Sequence, residues 1–328
     1  MRARYLVTGG AGFVGSHAVA ALTGRGDEVV VVDNLRQGHR AAVLGARLIE
    51  GDIGDAAVID AVLADGPWDG VLHFAALSVV GDSMREPFRY LIENALHGIR
   101  LIEACVAHGV SRFVLSSTAA LFGTAARAPI AEDAPVDPGS PYGESKWMLE
   151  RALHWAEQVH GLRSARLRYF NAAGADPAGR LGEDHRPETH LVPLAIDAAL
   201  GRRAALQIFG ADYATPDGTS IRDYVHVTDL ATAHLLALDR LAAGSVTYNL
   251  GSGTGHSVLE VIRAVERVGG RPVPHATASR RAGDPPVLVA ASDRIRRDTG
   301  WAPRYGGLDD IVRTAWAWRE AHPGGYGD

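Results

Sequence analysis

The chain has 328 residues, 47% hydrophobic and 22% charged, a balance that excludes disorder and predicts a packed core in one large domain or two linked ones. The net charge is −5 and no long basic block occurs, which excludes a nucleic-acid arm but leaves small phosphorylated ligands open. Glycine is abundant at 38 residues while proline stands at 16, so the glycine goes to tight turns and close backbone approach rather than to a low-complexity tract.

Residues 5–8 form a short apolar run, read as the first strand. Arg2 and Arg4 before it imitate the start of a secretion signal, but glycines at 9, 10, 12 and 15 interrupt any apolar helix. No apolar run reaches the roughly 18 residues of a membrane span, so a cytoplasmic protein with no membrane partner is expected. Residues 16–22 follow as an amphipathic stretch, and residues 29–32 are four consecutive valines ending at Asp33. Further apolar runs lie at 71–74, 113–115 and 165–169, separated by helix-spaced stretches at 84–108 and 144–160. Strands separated by helix-length segments predict βαβ units and an α/β fold with a doubly wound parallel sheet. The valine run suits a strand covered on both faces. Cys105 is the only cysteine, which excludes an intramolecular disulfide, fits a reducing compartment and reads as a small buried hydrophobe. Beyond residue 171 the regularity weakens: 171–190 and 271–286 are irregular, with later strands at 225–227 and 247–250. A nucleotide-binding domain over 1–175 is expected, with 224–250 returning to it, and a smaller C-terminal α/β substrate region over 176–328. No internal repeat is evident.

Gly9, Gly12 and Gly15 stand directly after the first strand and open the first helix. Glycines there let backbone approach a pyrophosphate, and the helix N-terminus offers free amides and a partial positive charge. Asp33 ends the next strand 18 residues past Gly15, where a carboxylate bonds a ribose 2′-hydroxyl and repels a 2′-phosphate. NAD is therefore expected over NADP, with Arg36 the feature that keeps NADP as an alternative. Together these residues predict a Rossmann sheet.

Tyr142 and Lys146 stand one helical turn apart in Pro141-Tyr142-Gly143-Glu144-Ser145-Lys146 and share a helix face. A phenol is a poor base near neutrality, but a nearby ammonium and a cationic nicotinamide ring would each favour the phenolate. The pair can serve as a tuned base. Ser116-Ser117-Thr118 closes the strand that begins at Phe113, and hydroxyls at the carboxyl end of such a strand face the ligand crevice. Thr118 could share a proton with a substrate hydroxyl beside Tyr142.

These pieces resemble the extended short-chain dehydrogenase/reductase family, and within it the branch of UDP-hexose 4-epimerases. The resemblance runs through 8–17, Asp33-Asn34-Leu35, Gly51-Asp52-Ile53, His73-Phe74-Ala75-Ala76, 87–94, 116–123, 141–146 and Arg168-Tyr169-Phe170-Asn171. It continues through 209–210, 212–213, 217–219, 222–227, 229–231, 249–251, 257–260 and 280–284. It implies that Gly9, Gly12, Phe13 and Val14 meet the NAD pyrophosphate, that Asp33 and Asn34 hold the adenosine ribose, and that Asp52 and Ile53 flank the adenine. Phe74, Ala75, Ala76, Asn94, Ser116 and Tyr169 would line the cofactor groove together with Tyr142 and Lys146. Thr118, Tyr142 and Lys146 would be catalytic. The UDP-sugar would lie against Thr118, Tyr142, Phe170, Asn171, Leu191, Gln207, Phe209, Arg222, Arg281 and Asp284; permanently charged, forked arginines suit a diphosphate. No metal site is assigned.

The implied reaction inverts C4 of a UDP-hexose. Tyr142, assisted by Thr118, takes the 4-hydroxyl proton while the C4 hydride passes to NAD, the 4-keto sugar rotates about its link to UDP, and the hydride returns to the other face. UDP-glucose and UDP-galactose are the first expectation; UDP-N-acetylhexosamines and UDP-hexuronates remain open. A related sugar-nucleotide 4,6-dehydratase or decarboxylase would carry acidic residues right after the Ser/Thr, where this chain has Ala119 and Ala120. A non-catalytic cofactor-binding regulator is the reading from another class, and the intact Thr118, Tyr142 and Lys146 argue against it. Departures from the family pattern are Phe122 for a frequent tyrosine, Ser78 for a lysine, Ala291 for an aspartate, and Leu288 where the pocket is tuned. The resemblance also implies a homodimer through paired helices, which the apolar stripes at 84–108 and 144–160 permit.

Overall fold

The structure, a computed structural model, describes residues 2–123, 127–281 and 284–327. β1 (Arg4–Thr8) leads through the glycine loop to α1 (Phe13–Arg25), followed by β2 (Glu28–Asp33), β3 (Arg47–Glu50), α2 (Ala56–Ala64) and β4 (Gly70–His73). Short α3 (Val80–Ser83) and α4 (Pro87–Tyr90) precede α5 (His97–Ala107), β5 (Arg112–Thr118), α6 (Pro141–His160) and β6 (Arg163–Tyr169). Then come β7 (Asn171–Ala173), α7 (Leu191–Ala199), β8 (Leu206–Phe209), β9 (Ile221–His226), α8 (Val227–Arg240) and β10 (Val246–Leu250). The remaining elements are β11 (Gly255–Ser257), α9 (Val258–Gly269), β12 (His275–Ala278), β13 (Val287–Leu288), α10 (Asp293–Thr299) and α11 (Leu308–Ala321).

Seven strands form one sheet in the order β10-β6-β5-β4-β1-β2-β3, every pair parallel. Alternate residues of each strand feed opposite faces. Tyr5, Val7, Val29 and Val31 pack with α1 and α8, whereas Leu6, Val30 and Val32 pack with α2, α5 and α6. This two-sided burial is why the valine run carries no polar alternation. Cys105 is buried in the second of these layers, where burial pushes its thiol up to about 12. The order reverses at β1, between β2 and β4, and a crevice opens beyond their carboxyl ends.

Residues 224–250, expected to return to the large sheet together, divide between two sheets. α8 and β10 do pack there, but 224–226 belong to a smaller sheet in which β9 pairs with β7, β11 and β13. β7 sits in that sheet although it lies within 1–175. The strand expected at 225–227 ends at His226, because the His226 ring accepts the Thr228 amide at 3.1 Å and caps α8. β8 and β12 form a parallel pair, and α7, α9 and α11 enclose a third core around Ile196, Val265 and Val312.

The stretch 84–108 is interrupted as well. Pro87 opens α4 at its first turn, and residues Leu91–Leu96 have π geometry before α5 begins. The widened turn brings Asn94 inside, where it is buried. Its side chain accepts the Leu77 amide at 2.8 Å and donates to the Leu77 carbonyl at 2.9 Å and to Ser145 at 3.2 Å. Asn94 therefore ties the loop after β4 to α6.

Candidate active site

The crevice at β1, β2 and β4 is lined by Gly9, Gly12, Asp33, Asn34, Asp52, Ile53, Phe74, Ala75, Ala76 and Asn94, all expected there. Gly38, Leu77, Glu93 and His97 line it too. They arrive from loops, from the π geometry at Leu91–Leu96 and from the start of α5, and no sequence pattern marks them. The three loop glycines serve different ends. Gly9 has φ 74°, and a Cβ there would lie 2.3 Å from the Ala75 nitrogen. A Cβ on Gly15 would lie 2.1 Å from the Gly9 carbonyl oxygen. A Cβ on Gly12 would meet only that oxygen, at 3.5 Å. Packing within the chain thus demands glycine at 9 and 15 but not at 12, whose bare surface faces the groove. Gly12 is also the N-cap of α1 and supplies no side-chain cap, so the first-turn amides reached through Phe13 and Val14 are left for an anion. The donors and space fit a dinucleotide pyrophosphate.

Asp33 accepts the Ala11 amide at 3.0 Å and the Leu35 amide at 2.9 Å, and burial still raises its carboxyl above the usual range. Leu35 is held in the left-handed region at φ 56°, an uncommon conformation for a branched side chain. Arg36, the residue that could receive a 2′-phosphate, is ion-paired with Glu93. Asn34 donates to Asp52 at 2.8 Å, so the residues expected at ribose and adenine hold each other.

Thr118 ends β5, and Tyr142 and Lys146 lie on the first turns of α6. Ser140 caps this helix by accepting the Gly143 amide at 3.2 Å, with Pro141 next to it. Gly143 has no room for a side chain, since a Cβ would lie 2.4 Å from the Ala120 carbonyl oxygen. The start of α6 therefore presses onto the turn after β5, and the Thr118 hydroxyl comes close enough to Tyr142 to favour its ionised form. Burial opposes this and prevails, so the phenol lies above its ordinary value of 10.0. Lys146 is buried, donates from Nζ to the Ser116 carbonyl at 2.9 Å, and is pushed down to about 8 by burial. Within the protein the Thr118 hydroxyl favours the phenolate against burial, and the cationic nicotinamide ring of a bound NAD would favour it further. Ser116 and Tyr169 share a hydrogen bond between their hydroxyls.

Two supports have no sequence signal of their own. The Tyr90 ring meets that of Tyr142 edge-on at 6.5 Å, anchored by a hydrogen bond from its hydroxyl to the Val79 carbonyl at 2.7 Å. Beneath the site Glu150 of α6 accepts from Ser117 at 2.6 Å and from Arg168 of β6 at 2.6 and 3.0 Å. All three are buried. The Arg168 guanidinium also lies 5.4 Å over the ring of Phe122, the position where a tyrosine is frequent.

Of the residues expected at the nucleotide-sugar, none of which lines the groove above, Phe170 and Asn171 follow β6, Leu191 opens α7, Gln207 and Phe209 lie on β8, and Arg222 lies on β9. Arg222 and Asp284 form an ion pair. The Arg281 guanidinium lies 4.0 Å over the Phe209 ring. Gln207 is exposed. Residues 282 and 283 of the expected 280–284 segment lie outside the described residues.

Residues 5–251 match the NAD dependent epimerase/dehydratase family. A UDP-glucose 4-epimerase of Lacticaseibacillus casei is 49% identical over 98% of both chains. Among solved structures, a Brucella ovis UDP-glucose 4-epimerase in complex with NAD is 44% identical, with a TM-score of 0.93 over 96% of this chain and 98% of that one. A Bifidobacterium longum UDP-glucose 4-epimerase in complex with NAD+ and UDP is 35% identical, with a TM-score of 0.94 over 98% and 99%.

Proposed function

Because this chain belongs to the NAD dependent epimerase/dehydratase family, we propose that it is a UDP-sugar 4-epimerase acting on UDP-glucose and UDP-galactose with NAD as resident cofactor. The observation that carries this reading is the placement of a Tyr142 phenol beside the Thr118 hydroxyl, one helical turn from buried Lys146, at the carboxyl edge of a sheet whose groove fits a dinucleotide. NAD supplies, when bound, the acceptor and later the donor of the C4 hydride. Tyr142 takes the proton of the sugar 4-hydroxyl and gives it back after the sugar has turned over. Thr118 orients that hydroxyl. Lys146 retains further N–H donors beyond the one given to Ser116, suited to a ribose hydroxyl. Gly9, Gly12, Phe13, Val14, Asp33, Asn34, Asp52, Ile53, Phe74, Ala75, Ala76, Asn94, Ser116 and Tyr169 would hold NAD. Asp33 and the Glu93-bound Arg36 both disfavour the 2′-phosphate of NADP.

Phe170, Asn171, Leu191, Gln207, Phe209, Arg222, Arg281 and Asp284 would hold the nucleotide-sugar, with the arginines at the diphosphate. The UDP anchor keeps the reactive ketone from escaping while the sugar rotates. Purified protein assayed side by side on UDP-glucose, UDP-N-acetylglucosamine and UDP-glucuronate, with no reductant added, tests the reading. Interconversion of UDP-glucose and UDP-galactose at the highest kcat/KM is expected; turnover restricted to another pair, or none, contradicts it.

A homodimer fits the surface. Phe88, Ile92, Leu96 and Ile99 along α4 to α5, and Met148, Trp155 and Val159 along α6, expose apolar side chains at helical spacing. Two helices per protomer would pair across a two-fold axis, and sedimentation of the wild-type protein reads this directly. No described helix is long and apolar enough to cross a membrane. The single buried cysteine supports a place in the reducing cytoplasm.

A further inference from the structure

The segment between β7 and α7 carries Glu183, His185, Glu188 and His190 within eight residues. The fold closes them on one another: one ligand-capable atom from each lies within 4.8 Å of the others. Glu183 is buried and ion-paired with His190. His185 Nδ1 lies 3.3 Å from Glu183 Oε1 and 3.5 Å from Glu188 Oε1. Glu188 supplies a separate observation. Its side chain is only 9% exposed, and its Oε1 accepts the Thr189 and His190 amides at 2.8 and 2.9 Å. Its Oε2 is buried with no hydrogen-bond partner among the described residues. A buried carboxylate oxygen left in this way is costly and points to an occupant beside it.

We propose that Glu183, His185, Glu188 and His190 bind one divalent transition-metal cation of the zinc type. Two imidazoles and two carboxylates form a four-donor set suited to tetrahedral Zn2+, and two ring nitrogens disfavour the hard cations Mg2+ and Ca2+. Two carboxylates with neutral imidazoles balance a double positive charge, which lets the cation sit beside the buried Glu183. Solvent reaches the cluster through His190, whose side chain is 46% exposed. The site has a definite place in the fold. The His185 ring meets Phe13, the first residue of α1, edge-on at 6.3 Å, and His190 precedes Leu191 at the start of α7. A bound cation fixes the segment that runs from its contact with Phe13 to the start of α7. The inference stands apart from the epimerase reading, because no step of that chemistry uses these four residues.

The test uses full-length, untagged protein with its NAD, stripped of metals by a chelator. It is titrated with ZnCl2 by calorimetry and with CoCl2 by visible absorption. One equivalent of zinc should saturate the site, and the cobalt adduct should show the intense bands of tetrahedral coordination. Glu188→Gln and His190→Ala should each weaken zinc binding about tenfold or more. His190 is exposed, so His190→Ala leaves the fold least disturbed and keeps the test meaningful if Glu188→Gln misfolds. Absence of saturable binding, a weak octahedral cobalt spectrum, or unchanged affinity in the His190→Ala variant would overturn the proposal in favour of a metal-free set of His–Glu ion pairs.

Discussion

Gly9 and Gly12 occupy equivalent places in a repeated sequence pattern, yet their surroundings assign them opposite work. Gly9 is required by its φ and by the Ala75 backbone 2.3 Å from a would-be Cβ, whereas Gly12 is required only by what binds outside it. Gly9→Ala should therefore cost at least about 2 kcal/mol of stability, read as a lowered denaturation midpoint. Gly12→Ala should shift stability by about 1 kcal/mol or less while the protein loses NAD during purification, read from its absorbance. Equal losses of stability in the two variants would contradict the division. Spacing made the glycines, Asp33, Tyr142 and Lys146 legible in the sequence, because these are local patterns with one chemical purpose. Tyr90 and Glu93 were not legible, since each matters through a residue some fifty positions away. The contact from Lys146 to the Ser116 carbonyl was hidden for a similar reason: helical spacing places two side chains on one face but does not tell which carbonyl the ammonium finds.

The elements that carry the proposed catalytic residues are locked together by charge. Glu150 on α6 binds Arg168 on β6 and Ser117 on β5, so the helix bearing Tyr142 and the strand bearing Thr118 share one buried carboxylate. Arg168→Ala leaves that carboxylate uncompensated and should cost about 3–5 kcal/mol, measured by denaturant unfolding. It should also lower kcat more than it raises KM, because it shifts Thr118 relative to Tyr142; a stability loss of that size with unchanged kcat would sink the positioning role. Helix periodicity revealed α5 and α6 but not the π turn before α5. A π turn keeps an apolar face much like that of an α-helix, and its presence is fixed by the Asn94 contacts to Leu77 and Ser145, which come from other elements.

Four histidines are buried in the interior and held neutral across the molecule. Burial lowers His17 and His234 to about 4, and His73 and His226 to about 3, from the ordinary 6.5. The unfolded chain binds protons at these rings near 6.5, while the folded chain does not until far lower pH. Their contribution is thus complete above 6.5 and is lost as pH falls toward about 4 for His17 and His234 and about 3 for His73 and His226. Each adds up to about 1.4 kcal/mol per pH unit to the slope. His185 and His190, held up beside Glu183 against burial, oppose the trend as pH falls through 6.5, and so do Asp33, Asp223 and Asp229, raised by burial, but the four neutral rings outnumber the two raised ones. Unfolding free energy measured from pH 7 to 5 should fall steadily; a flat profile would contradict neutral burial. At this scale the large sheet was readable because its strands are apolar runs at regular spacing. The smaller sheet was not, since β7, β11 and β13 are two or three residues long and find β9 only in the folded chain.

Turnover by the intact protein bears most directly on the central claim that Tyr142 carries the proton of the sugar 4-hydroxyl. Wild-type protein and Tyr142→Phe should be given UDP-glucose with no added reductant, and the UDP-galactose formed measured over time. The variant should keep its affinity for UDP and its bound NAD while kcat falls by about 100-fold or more. A Tyr142→Phe variant that converts UDP-glucose at close to the wild-type rate would contradict the account.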